Sequence, residues 1–161
     1  MKPLALIAAL LLATAPALHA EDNHDHDHLT TLGAARLLHA WTPATAADAA
    51  LVYVEIENTG AVPLDLTGGD SPRAASVELV GFQLRDGAGV WVPLDAVPVA
   101  GQSVLALAPE RLALRLNGLT APLAEGESFP LHIALGGSEA EVTVAVEPAG
   151  ARQHSHAGHK H

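Results

Sequence analysis

Alternation with a period of two is the feature that most constrains this chain. Val52, Val54 and Ile56 fall on one side of a stretch whose other side is Tyr53, Glu55 and Glu57. Leu112, Leu114 and Leu116 alternate with Ala113 and Arg115, and Phe129, Leu131, Ile133 and Leu135 with Pro130, His132 and Ala134. Val142, Val144 and Val146 repeat the pattern against Thr143 and Ala145. Successive side chains of a strand point to opposite faces, so each stretch reads as a strand with one buried side. Turn-forming groups separate them: Asn58-Thr59-Gly60, Gly68-Gly69-Asp70, Arg85-Asp86-Gly87, Asn117-Gly118 and Gly136-Gly137. Short strands at this spacing predict an all-β sandwich or barrel of about nine strands. The Ala-rich run from Thr42 to Ala50 is the one place where a helical turn is an open alternative.

Charge and composition narrow the function. Eighteen acidic against eight basic side chains give a formal net charge of −10. That balance excludes a nucleic-acid binder, which needs a basic face to displace phosphate counterions. There is no cysteine, so disulfides, thiolate metal sites, cysteine nucleophiles and a lipid-modified cysteine are excluded, and the only methionine is Met1. No phosphate loop, zinc-protease motif or nucleophile elbow is present, so the chain is not read as an enzyme.

The first twenty residues read as a secretory signal peptide. Lys2 precedes an uncharged Leu/Ala run from Leu4 to Ala15, then small residues, then Glu21-Asp22. The run is shorter than the roughly 20 apolar residues needed to span a bilayer. Cleavage after Ala17 or after Ala20 both fit. The expected division is therefore 1–20 signal, 21–32 acidic His-containing tail, 33–146 β domain and 147–161 His-rich tail. No membrane span remains after cleavage, and the destination is the periplasm.

From Gly33 to Val146 the chain resembles the periplasmic copper chaperones of the PCu(A)C family. The residues carrying this are Ala40-Trp41-Thr42-Pro43-Ala44, LVYVEIENTG at 51–60, LTGGDSPRAASVEL at 66–79, and 97–133 with its run Asn117-Gly118-Leu119-Thr120-Ala121-Pro122-Leu123. The resemblance implies a cupredoxin-like Greek-key β-sandwich. It also implies delivery of copper to a periplasmic acceptor such as an oxidase assembly factor. Its two His and two Met copper ligands fall here on Val80, Trp91, Ala113 and Arg115. None of these can be carried over as a ligand. An arginine about 4 Å from a bound cation repels it by about 4 kcal/mol per unit charge at an effective dielectric near 20.

Metal-binding capacity lies instead at the two ends. His24, His26 and His28 alternate with Asp25 and Asp27; His154, His156, His159 and His161 cluster at the other end. His-x-His in an extended chain puts both rings on one side. Imidazole suits Cu(II), Zn(II) and Ni(II), whereas Cu(I) prefers sulfur. These seven histidines are the candidate ligands, with copper as Cu(II) favoured over Cu(I) unless two imidazoles trap the monovalent ion. Nine strands with every connection reversing would place the ends at opposite poles, as two separate sites. His39, in phase with Leu37 and Trp41, reads as a half-buried hydrogen-bonded residue, and His132 as a surface residue. The alternative function is a module that binds no metal and docks a partner through an apolar patch of Val80, Phe82 and Trp91.

Overall fold

A computed structural model describes residues 29–155. The expected signal peptide lies outside the described residues, as do His24, His26, His28, His156, His159 and His161. Among the described residues there is no helix, and so none long and apolar enough to cross a membrane. The strands are β1 (Leu29–Leu32), β2 (Ala35–Pro43), β3 (Ala49–Asn58), β4 (Leu64–Asp70), β5 (Ala74–Arg85) and β6 (Ala88–Pro93). They continue as β7 (Val97–Val99), β8 (Ser103–Ala106), β9 (Leu112–Leu119), β10 (Ser128–Leu135) and β11 (Ser138–Glu147). Among the described residues the count is eleven, where about nine were expected. β1, β7 and β8 have only three or four residues each, too few to display a period. β1 also occupies the last four residues of the stretch read as a tail. Residues 42–50 hold no helical turn: β2 runs to Pro43, Thr45 bridges Leu123, and β3 starts at Ala49.

Hydrogen-bonded neighbours run β2-β11-β10-β4-β5-β9-β3, and β3 pairs back with β2. The sheet therefore closes into a seven-stranded barrel rather than an open sandwich. Closure leaves no free edge in the wall. The short strands attach outside this circuit: β1 on β2, β6 on β5, β7 on β4 and β8 on β3. Most pairings are antiparallel, but β11 lies parallel to β2, with Ala145 opposite Trp41 and Glu147 opposite Pro43.

The alternating apolar residues fill the interior. Val52, Val54, Ile56, Leu79, Leu114, Leu116, Leu131, Ile133 and Val144 belong to one buried cluster. Each such side chain contributes about 1.5–3 kcal/mol by leaving water. Asn58 is buried, and its side-chain amide is fully engaged. Asn58 Nδ2 donates to the carbonyls of Val62 and Val99 at 2.8 and 3.1 Å, and its Oδ1 accepts from Gly60 N–H at 3.0 Å. That network fixes the turn the sequence marks as Asn-Thr-Gly. Gly69 allows the close approach of β4 to β10, since a Cβ there would overlap the His132 carbonyl.

β2 departs from simple alternation. Its register on β3 shifts between Leu38 and Trp41, and His39 has φ of 52°. This is a β-bulge, which inserts an extra residue and re-aims the chain. Leu37 consequently faces the barrel interior, while Trp41 faces a second cluster outside it. The expected common phase of Leu37, His39 and Trp41 is thus broken at His39.

Candidate functional site

The second cluster lies on the outer side of the wall. Tyr53, Val80 and Ala113 alternate with the interior residues of β3, β5 and β9, and they pack with Trp41. Leu51, Trp91 and Ala151 cover them. Val80 pairs with Ala113 across β5 and β9, and both are fully buried. The Trp41 and Tyr53 rings lie 4.9 Å apart, tilted by 45°. Burial, with the Glu110 charge adding to it, pushes the Tyr53 hydroxyl above its usual value. Three of the four positions singled out by the resemblance, Val80, Trp91 and Ala113, therefore meet in one apolar patch. The fourth, Arg115, pairs with Glu78 at 2.7 Å on the same ladder. The hydrogen bond from Arg115 holds the Glu78 carboxyl below its ordinary value.

The apolar patch expected to dock a partner changes composition. Val80 is interior to the second cluster and not part of a surface. Phe82 and Trp91 remain half-buried, edge to face with centroids 5.2 Å apart.

The C-terminal segment after β11 turns back across this wall. Ala151 N–H donates to the Pro148 carbonyl at 2.8 Å, closing a turn. Glu147 Oε1 accepts from Ser155 N–H at 3.1 Å and from Ser155 Oγ at 2.9 Å. His154 is only 2% exposed, and its Nε2 lies 3.5 Å from Glu147 Oε1. Its ring centroid is 5.6 Å from that of His39, at an interplanar angle of 34°. Between them opens a cavity of about 160 Å³, lined also by Trp41, Glu55, Leu107 and Arg152. Of the seven histidines picked from the sequence, His154 is the one among the described residues, and it is buried against the barrel rather than solvated. The two ends of the described segment approach one another: Leu29 pairs with Leu38, the neighbour of His39, and His154 reaches the same bulge. The parallel pairing of β11 with β2 and the returning segment produce this convergence.

His132 occupies a different place. In the register, Asp70 of β4 and Glu141 of β11 flank it on either side of β10. Its Nδ1 lies 3.2 Å from Asp70 Oδ2 and its Nε2 lies 3.0 Å from Glu141 Oε2. The hydrogen bond to Asp70, then that to Glu141, raise its pKa above the ordinary 6.5. Two carboxylates on the two ring nitrogens favour the imidazolium, which donates from both. It is a surface residue, as its phase predicts, but one committed to an ion-pair row.

Among the described residues, no three His, Asp or Glu groups lie close enough together to hold a metal ion. Sequence reasoning set His39 aside. The signal for it was present: the consecutive apolar pairs Leu37-Leu38 and Ala40-Trp41 on either side of His39 cannot both keep a strict alternation.

A protein-family model described as LpqE-like, for lipoproteins, matches residues 36–147. Among solved structures, the apo PCuAC domain of PmoF2 superposes with a TM-score of 0.64 at 20% identity, over 78% of this chain and 99% of that one. The copper-bound PCuAC domain from PmoF2 gives 0.63 at 19% identity, over 75% and 98%. The solution structure of Cu(I)-DR1885 from Deinococcus radiodurans gives 0.52 at 22% identity, over 68% and 75%. The curated proteins contain no match. At these identities the structural neighbours establish the fold.

Proposed function

We propose, for a chain that belongs to the LpqE-like family and has the PCuAC fold, that it is an exported copper-binding protein which takes its ion through the histidines of its terminal segments. Two of the structures sharing this fold hold copper, which supports a carrier of that class. The periplasm is the proposed location, and a periplasmic copper-accepting protein the proposed recipient. Cu(II) is the favoured ion; Zn(II) and Ni(II) fit the same donors.

The observation that carries the reading is the chemistry at Val80, Trp91, Ala113 and Arg115. These residues offer no nitrogen, oxygen or sulfur donor to a cation, and the one charged member is positive and already paired. With no thiolate in the chain, imidazole is the donor best suited to an ion bound elsewhere, and seven of the ten histidines are in the terminal segments.

Titration of the exported protein with Cu(II) and Zn(II), with residues 21–28 and 156–161 present and then trimmed, tests this. Trimming should remove most of the bound equivalents. Unchanged stoichiometry and affinity would refute it.

A second reading keeps a docking face at Phe82 and Trp91, because both remain half-exposed. Substituting both to Ser would abolish partner capture while leaving metal titrations unchanged.

A further inference from the structure

We propose that His39 and His154 form a seat for a single copper ion, held by both imidazoles where the C-terminal segment folds back on the β2 bulge. This rests on the terminal-histidine reading above and names the donors at its structured end.

The geometry carries it. With metal–nitrogen bonds of about 2.0–2.1 Å, two imidazoles on one ion have centroids roughly 5–6 Å apart. The observed separation is 5.6 Å. The cavity of about 160 Å³ between the two residues exceeds the space an ion and its water need. His154 also has the support that ligating histidines usually have. A carboxylate, Glu147, lies 3.5 Å from its Nε2, the kind of outer partner that orients a ligating ring. Glu147 is in turn held by both Ser155 donors.

The backbone agrees. A histidine at φ 52° sits in the left-handed region that non-glycine residues seldom adopt, and such conformations concentrate at functional sites. Here the bulge gives His39 a direction that regular pleating denies it. The charge is favourable: Glu55 lines the cavity, while Arg152, which also lines it, is turned to solvent and lies 3.6 Å from Glu110. Two protein donors suffice for monovalent copper, and water completes the shell of the divalent ion.

The test uses the full exported chain with both ends intact. Cu(II) is titrated while the amide signals of Val54, Leu107 and Ala108, around the cavity, are followed for paramagnetic broadening. Cu(I) is titrated separately against a chromophoric chelator. His39→Gly removes the imidazole and suits the positive φ, so folding is preserved; His39→Asn tolerates the same backbone and is the second variant. Both should weaken the tightest equivalent roughly tenfold or more, by the scale at which even supporting residues matter, and abolish the broadening. His132→Gln should change neither. A third chain has Gln at His24, His26, His28, His156, His159 and His161. It should keep the tightest equivalent and lose the weaker ones. Full tightest-equivalent binding in His39→Gly and His39→Asn, with loss in the third chain, would overturn the seat and leave the terminal reading standing. Unchanged binding in all the variants would overturn both.

Discussion

Two adjoining regions on the outside of one barrel wall use the same strands to opposite ends. Around Val80 and Ala113, the outward positions of β5 and β9 carry small or branched apolar groups capped by Trp41, Tyr53 and Trp91. One bulge away on β2, the outward groups are imidazoles with a carboxylate behind them. Trp41 belongs to both, packed in the first and lining the cavity of the second. The contrast shows how little separates a packed surface from a polar one. The scaffold is shared, and a single inserted residue decides which face a side chain meets.

The largest expected effect comes from breaking the residue common to both regions. Trp41→Ala should cost about 3–5 kcal/mol of stability, read as a shift in the urea midpoint at unchanged slope. A loss below about 1 kcal/mol would mean that the two regions are not joined through this ring. Glu147→Ala comes next. It removes the acceptor of both Ser155 hydrogen bonds, at about 1–3 kcal/mol. Amide exchange at Ser155 should accelerate, while exchange at Leu114 should accelerate by no more than the global loss of stability requires. His39→Gly acts in the opposite direction. Relief of the left-handed backbone should stabilise the apoprotein by up to about 1 kcal/mol, and thermal unfolding without metal would register it.

The smallest effect is a pH dependence confined to the far side of the barrel. His132 has its pKa raised by Asp70 and Glu141. Its ion-pair row therefore contributes fully below the ordinary histidine value of 6.5, and the contribution fades as pH rises through the raised value. An NMR titration of the ring should give a midpoint above 6.5, and Asp70→Asn should bring it down. A midpoint at or below 6.5 in the unsubstituted protein would show that the two carboxylates do not hold the proton.

Much of the barrel was legible because period-two patterns are local. Val52-Val54-Ile56 and Leu112-Leu114-Leu116 declare their buried face without reference to any partner. The absence of metal donors at Val80, Trp91, Ala113 and Arg115 was equally legible, since donor atoms are a property of residue type. The short strands β1, β7 and β8 were not, because three or four residues cannot establish a period. Nor was the burial of Ala113 and Val80 on both faces, because what covers an outward position is supplied by other parts of the chain. His39 was misassigned to one phase for the same reason. A bulge forms where two partners compete for register, here β3 throughout and β1 giving way to β11 along β2.

The sequence by itself determined an all-β chain without thiolate, with one methionine at its start, whose histidines lie mostly near its ends. Only the tertiary structure decided that His39 meets His154 beside Glu147, and that the N-terminal strand begins at the same bulge. Composition and alternation are carried by neighbours in the chain. That meeting depends on strand register, a bulge and a returning segment, each settled by contacts between residues far apart in sequence.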